Sequence, residues 1–258
     1  MEKIILKNKP LVEAIFEYRW ELVPGPEGMK VFPHYDVLIG SLYEKIKNDY
    51  PFHQDLLSAN IPSSMVEYIP QHRFRKGKNE HPLVQLGPGI LTVNDAVGYV
   101  WEDFKPRIVK TIQALFDAYP DDKRSLEPSR LDLRYIDAIK FDFENENILD
   151  FLRKNMKLDL GIGPALFEDT GIGNAPKGLD LKLGFECATP NGAFKIRLRR
   201  GIFNKLDALI WETTVTSVKE MGLPKIPEEI GIWLEQSHDI THKWFFRLIE
   251  GNLMGQFR

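Results

Sequence analysis

The feature that most constrains this chain is a pair of long segments in which apolar and polar residues alternate. The first is residues 11–20 and the second is residues 130–137. A period of two is typical of a strand with one buried and one polar face. Each segment is followed by a helical pattern, several shorter strands and a longer helical pattern, so residues 11–119 and 130–249 repeat one order of elements. Residue identity between the two copies is slight, and the repeat therefore concerns element order.

This order predicts an α+β fold with two similar halves, each running strand, helix, strands and helix, in which a mainly antiparallel sheet is packed by long helices. The first half is expected at residues 1–120 and the second at residues 130–258. Prolines and charged residues concentrate between them, which favours a linker at residues 121–129.

Two turn signals and two further strands refine this prediction. Pro88 and Gly89 suit a tight turn of type II, and Asn191-Gly192 is a strong hairpin signal. Strands are predicted at residues 64–76 and 82–100 from their alternating composition.

Bulk composition limits the class of protein. With 258 residues, 43% of them hydrophobic, the chain can bury a full core. A formal net charge of −3 argues against a surface built throughout for nucleic acid, although a local basic face fits within it. The one cysteine, Cys187, excludes an internal disulfide and favours a reducing compartment. The first seven residues lack the apolar core of a signal peptide, and no stretch approaches the ~20 apolar residues of a membrane span, so we expect a cytoplasmic protein without a membrane segment.

Cationic side chains of the second half are predicted to point out of the sheet on the side opposite the apolar residues. They are Arg130, Arg134, Lys140, Lys182, Lys195, Arg197 and Arg199. Such a face can bind a protein or a nucleic-acid segment through charge-assisted hydrogen bonds. The candidate binding residues are Arg134, Lys182, Lys195, Arg197 and Arg199. Alternatively, acidic neighbours neutralise these cations in cross-strand ion pairs; the neighbours are Asp132, Asp142, Asp180 and Glu186.

Asp137 is a weak candidate for a catalytic group. It shares the strand parity of apolar residues such as Leu133 and Tyr135, so it is expected to face the core. A carboxylate there needs a partner, because an unpaired buried charge is very costly. One hypothesis is a ligand-contacting or acid/base group with a raised pKa. The alternatives are a bulge that turns Asp137 outward and a structural pair with an arginine.

A long glycine-rich stretch follows the first helix of the second half. Gly161, Gly163, Gly171 and Gly173 punctuate it without matching a phosphate-binding motif. A loop of this length has a function or is flexible. It is therefore interpreted as a flexible loop, or as a lid, formed by residues 161–178, that closes over a pocket containing Asp137 and Arg134.

No residue pattern specifies a metal, a cofactor or a covalent mechanism. His238 and His242 are four apart on a predicted helix, but the run lacks the glutamate of a His-Glu-x-x-His site, and structural or surface histidines are favoured. No serine, threonine or cysteine lies in a nucleophile motif, and Cys187 has the position of a core strand residue. We therefore expect no cofactor and no metal, and the sequence leans against an enzyme.

Three segments together resemble a family of short, sporadically distributed, uncharacterised bacterial proteins. They are residues 10–17, residues 86–94 with 99–101, and residues 133–137. The resemblance spans nearly the whole chain, and its patchy occurrence implies mobile genes of the antiphage-defence or toxin–antitoxin kind. At the level of the fold alone, the repeated order is similar to the saddle of the TATA-binding protein. Glu13, Glu17 and Glu21 stand where that saddle needs cations, which argues against binding of duplex DNA across both halves.

Taken together, these patterns favour a non-enzymatic binding or regulatory protein that holds a protein or nucleic-acid partner on a sheet face. The alternative is an enzyme or small-molecule sensor with a pocket around Asp137 and Arg134 under the 161–178 loop. A homo-oligomer is compatible with either hypothesis.

Overall fold

A computed structural model describes residues 6–25, 28–96 and 98–258. Residues 1–5, which carry most of the segment used to argue against a signal peptide, lie outside the described part. The strands are β1 (Leu11–Trp20), β2 (Val23–Pro24), β3 (Lys30–Val31), β4 (Phe52–Asp55), β5 (His72–Arg75), β6 (Leu83–Gly87), β7 (Ile90–Asp95), β8 (Pro128–Lys140), β9 (Asp180–Ala188), β10 (Asn191–Phe203) and β11 (Leu206–Val218). The α-helices are α1 (Tyr35–Ile46), α2 (Trp101–Ala118), α3 (Ile148–Asn155), α4 (Ile230–Leu248) and α5 (Asn252–Phe257). In the described residues, none of these helices combines the length and apolar character needed to cross a bilayer.

Nine of these strands form one antiparallel sheet in the order β4-β5-β6-β7-β1-β8-β11-β10-β9. The predicted α+β class with a large antiparallel sheet is confirmed. The first long strand, β1, pairs directly with the second, β8, with Phe16 opposite Leu133. The two long amphipathic segments of the sequence are therefore the middle of the sheet.

The helices pack on one face of this sheet, which we call the helix-packed face. Ala14, Phe16, Tyr18 and Trp20 point to this face from β1 and are fully buried. The hydrophobic core is continuous across the chain, since the rings of Phe16 and Trp233 on α4 meet edge to face at 6.2 Å. The alternate residues of each strand point to the opposite side, the open face.

The strand predicted at residues 64–76 is shorter in the structure. Of residues 64–76, only His72–Arg75 forms a strand, and short helical turns lie at Leu57–Asn60 and Ser63–Met65. Pro62 and Pro70 have no N–H to donate to a ladder, and Tyr68 has a left-handed φ of 58°. This segment therefore forms a loop, residues 56–71, rather than a continuous strand.

The segment predicted as a linker is packed at its C-terminal end. It contains a helical turn at Lys123–Leu126, and β8 already begins at Pro128. Leu126 is fully buried, and the Tyr18 hydroxyl donates a hydrogen bond to its carbonyl. The connection is thus tied to the middle of the sheet.

Candidate binding cleft on the open face

A small cleft lies at the centre of the open face, where β1, β8, β11 and β10 run side by side. Its volume is about 170 Å³. It is lined by Ile15, Glu17, Arg19, Arg130, Asp132, Arg134, Lys195, Glu212, Thr214 and Thr216. Apart from Ile15, every lining side chain is polar, so the cleft is suited to a charged or hydrogen-bonding group.

The strand register places two cations on either side of one threonine. Thr214 on β11 is opposite Arg134 on β8 and opposite Lys195 on β10. Neighbouring strands are about 4.8 Å apart, so the three side chains form a row across the cleft. Among the described residues, neither Arg134 nor Lys195 has a hydrogen-bond or ion-pair partner. The row therefore offers two uncompensated positive charges within reach of one anionic group.

The next row of the cleft has two buried polar atoms that lack partners. Asp132 and Thr216 face each other across β8 and β11, and both are buried. The Oδ2 of Asp132 accepts a hydrogen bond from Arg130 Nε at 2.7 Å. Its Oδ1 has no donor among the described residues. The Thr216 hydroxyl is likewise without a partner. Buried polar atoms are normally satisfied, so this row indicates a bound water or a hydrogen-bonding group of a ligand.

The other cations predicted on this face are mostly paired. Arg130 bonds Asp132 at 2.7 Å, Arg197 forms a bidentate pair with Asp180 at 2.9 and 2.7 Å, and Arg199 lies 3.5 Å from Glu212. The ion-pair alternative therefore holds for Arg197 and Arg199. Lys182 is exposed on the edge strand β9, opposite Arg197. Of the five candidate binding residues, only Arg134 and Lys195 line the cleft.

Towards β5, the open face is occupied by its own hydrogen bonds. The bonds run from Arg73 to Gln85 (3.0 Å), from Gln85 to Thr92 (3.3 Å), from Thr92 to Asn94 (2.7 Å) and from Asn94 to Glu13 (2.8 Å). Such a satisfied network holds its side chains in place. These side chains thus have partners on the face itself, unlike Arg134 and Lys195 in the central cleft.

Asp137 lies on the other side of the sheet. It faces the helix-packed core with 3% exposure, opposite Trp211 in an unbroken register, so no bulge turns it outward. Burial raises its pKa to about 8, and no arginine pairs with it in the described structure. Arg134 belongs to the opposite face of β8. A single pocket containing Asp137 and Arg134 is therefore not formed.

The glycine-rich loop is exposed and anchored away from both residues. A Cβ added at Gly161, Gly163, Gly171 or Gly173 would meet no atom within 4 Å. Near the end of the loop, the Lys177 side chain donates a hydrogen bond to the carbonyl of Glu144, and the Lys177 carbonyl accepts one from Arg200. These contacts tie the loop to β10 and to the segment after β8 rather than to the cleft.

His238 belongs to a packed cluster under α4. Its ring stacks on Trp101 with centroids 3.9 Å apart, and its Nδ1 lies 2.9 Å from the Tyr135 hydroxyl. That hydroxyl is also 3.0 Å from the Tyr99 hydroxyl. Burial lowers the pKa of His238 to about 4, so the imidazole is neutral at physiological pH. Its neighbour His242 contacts the Phe246 ring instead, and the pair serves packing.

A second concavity runs along the outer side of α2. It has a volume of about 960 Å³ and is bordered by Trp101, Pro106 and Val109 among others. Two of its cations are paired, Lys105 with Glu235 at 2.6 Å and Lys110 with Asp49 at 2.5 Å. Its charges are therefore largely balanced, in contrast to those of the cleft.

Sequence reasoning missed one cluster of polar residues. His53 and Asp55 on β4 and His72 on β5 bring three potential ligand atoms together. The spacing His-x-Asp on one strand was a usable signal, since such residues share a face. It was missed because β4 itself was not predicted.

Comparisons with known proteins do not place the chain in a family. No protein family and no curated protein matches its sequence. Among solved structures, it is similar to DynU16, a protein of the dynemicin biosynthetic locus, with 9% identity, a TM-score of 0.24, and coverage of 90% of this chain and 99% of that one.

Proposed function

We propose that this chain is a non-enzymatic binding protein that holds an anionic segment of a partner in the central cleft of its open face. The observation that carries this proposal is the row formed by Arg134, Thr214 and Lys195, in which both cations lack a partner among the described residues. An unpaired pair of cations beside a hydroxyl, one half-buried and one exposed, binds a carboxylate or phosphate through charge-assisted hydrogen bonds.

The surroundings of the row favour a protein partner over a nucleic acid. Asp132, Glu17 and Glu212 line the same cleft and would repel a continuous chain of phosphates. Among the described residues, no aromatic side chain lines the cleft, whereas single-strand binding sites stack bases on aromatic rings. An acidic side chain fits better, because a single carboxylate can meet the two cations without bringing a continuous chain of negative charge past these carboxylates.

We also infer that the two halves of the chain are structurally similar and that their central strands build the cleft together. The order strand, helix, strands and helix on both sides of the β1–β8 pair supports this inference. Under this proposal the partner belongs to a mobile bacterial system of the antiphage-defence or toxin–antitoxin kind, and the complex acts in the cytoplasm. That context comes from the sequence resemblance rather than from the cleft.

The test begins with capture of the partner from the source cell, with and without nuclease treatment, and its identification by mass spectrometry. Binding of the purified partner is then measured by calorimetry for the wild type and for the double variant Arg134→Glu/Lys195→Glu. Reversal of both unpaired charges is expected to weaken binding on the order of 100-fold, because each change removes an attractive charge and adds a repulsive one.

The control is Lys154→Glu/Arg247→Glu, which changes the net charge equally at exposed positions on α3 and α4. It should bind the partner like the wild type, and both double variants should keep the wild-type melting temperature. Equal loss in both variants would indicate only long-range charge, and unchanged binding in the cleft variant would exclude the cleft. Loss of the partner on nuclease treatment would assign the face to nucleic acid instead.

A further inference from the structure

A second site lies at the outer edge of the sheet, on the helix-packed side. β4 and β5 are paired so that Asp55 is directly opposite His72 and His53 is opposite Phe74. His53 and Asp55 are two residues apart on β4 and therefore share a face. The register alone thus brings two imidazoles and one carboxylate to the same point.

The three potential ligand atoms have the mutual spacing of a metal coordination shell. His53 Nε2 lies 3.3 Å from His72 Nδ1, His72 Nδ1 lies 2.9 Å from Asp55 Oδ1, and Asp55 Oδ1 lies 3.4 Å from His53 Nε2. In a tetrahedral zinc site with bonds of about 2.0–2.1 Å, neighbouring ligand atoms are about 3.3 Å apart. Two edges of the triangle already have this length, and the third, between His72 and Asp55, is shorter at 2.9 Å.

Packing holds the two imidazoles, whereas the carboxylate remains accessible. The His53 ring stacks on Phe74 with centroids 5.1 Å apart, and His72 packs against Tyr35 at 6.1 Å. His72 is 14% exposed and Asp55 is 68% exposed. In the described structure, no lysine or arginine pairs with Asp55, so no cation competes for its charge. An ion bound here would be reached from solvent and would keep a position for water.

We propose that His53, Asp55 and His72 bind one divalent transition-metal ion of the zinc class. Two imidazole nitrogens and one carboxylate oxygen are ligands suited to Zn²⁺, and three protein ligands leave a fourth position for water. The ion would join β4 to β5 at the base of the 56–71 loop. This site is independent of the cleft, so its failure would leave the proposed function unaffected.

The test uses the full chain without a histidine tag, freed of metal by dialysis against a chelator. Zn²⁺ is titrated by calorimetry, and Co²⁺ is titrated while its visible absorption is recorded. The wild type is expected to bind one ion per chain and to give the intense Co²⁺ bands of tetrahedral coordination. Asp55→Asn and His72→Asn are each expected to lower the affinity about tenfold or more and to abolish those bands.

His242→Asn is the matched control, because His242 is the exposed member of the other histidine pair. It should bind Zn²⁺ with wild-type affinity. Asp55 is exposed, so Asp55→Asn remains informative even if His72→Asn perturbs the fold. Absence of one-to-one binding, unchanged affinity in Asp55→Asn, or loss of binding in His242→Asn would each overturn the proposal and leave the triangle as a hydrogen-bonded cluster.

Discussion

At the scale of single residues, Arg134 and Asp137 lie on opposite faces of β8, and neither has a hydrogen-bond or ion-pair partner in the described structure. Arg134 meets the cleft, where a partner can reach it, and Asp137 meets the core. Trp211, opposite Asp137, also has an Nε1 without a partner. The core position is costly unless the carboxyl group keeps its proton, which is why burial raises its pKa.

This raised pKa predicts a pH dependence of stability. The pKa of Asp137 is about 8 in the folded chain and about 3.9 in the unfolded chain. Between these values the unfolded state loses the proton and the folded state keeps it, so the contribution of Asp137 to stability is greatest below pH ~4 and falls as the pH rises towards ~8, by at most about 1.4 kcal/mol per unit. Asp137→Asn should remove this fall.

Urea unfolding of the wild type and Asp137→Asn at acidic and mildly alkaline pH measures the effect. The variant is expected to gain stability relative to the wild type as the pH rises, by several kcal/mol in total. Asp159→Asn, at an exposed position, is the control and should follow the wild type. A difference between Asp137→Asn and the wild type that does not change with pH would contradict the assignment.

At the scale of elements, local chemistry predicted turns well and strand ends poorly. The turn at Pro88-Gly89 is confirmed, and Gly89 has the positive φ of 76° that a type II turn requires. The hairpin near Asn191-Gly192 is also confirmed, but both residues already belong to β10. A Cβ on Gly192 would lie 2.2 Å from the Thr216 carbonyl oxygen. A glycine is therefore needed here because β10 and β11 approach each other closely, and no local sequence signal reveals that contact.

The same kind of contact at Gly87 gives a prediction. A Cβ there would lie 2.0 Å from the carbonyl oxygen of Ile69, in the 56–71 loop. Gly87→Ala should push that loop away from β6 and cost about 1–3 kcal/mol of stability. Gly184→Ala on β9 is the matched control, since a Cβ there meets nothing within 4 Å. Denaturant unfolding compares the two, and equal stability would argue against a rigid loop contact.

At the scale of the whole molecule, the sequence predicted which side chains share a face of the sheet but not where on that face the cleft lies. Strand alternation placed Arg134, Lys195, Arg197 and Arg199 on one face. Arg197 and Arg199 find their partners within the hairpins β9–β10 and β10–β11. The row of Arg134, Thr214 and Lys195 instead needs β8 beside β11, two strands that are far apart in the chain. The cleft could therefore be predicted as a face but not as a location on it.

The shared sheet predicts that the two halves unfold together. Their cores meet through contacts such as Phe16 with Trp233 and Tyr99 with Tyr135. Urea unfolding followed by circular dichroism and tryptophan fluorescence should give one coincident transition. Residues 1–120 and 130–258 expressed separately should each lack a cooperative transition, and mixing them should restore it. Independent cooperative unfolding of either fragment would show that the halves are autonomous domains.

The pairing of β1 with β8 also determines how the chain acquires its fold during synthesis. β1 leaves the ribosome before its partner β8, which emerges only after more than a hundred further residues. Contacts between such distant segments slow folding. Until β8 arrives, the growing first half exposes the hydrogen-bonding edge of its most apolar strand, an edge that can recruit other chains. The β1–β8 seam at the centre of the finished sheet therefore stays open until residues 128–140 have been made, and a nascent chain paused before residue 128 is a form of this protein that needs a chaperone.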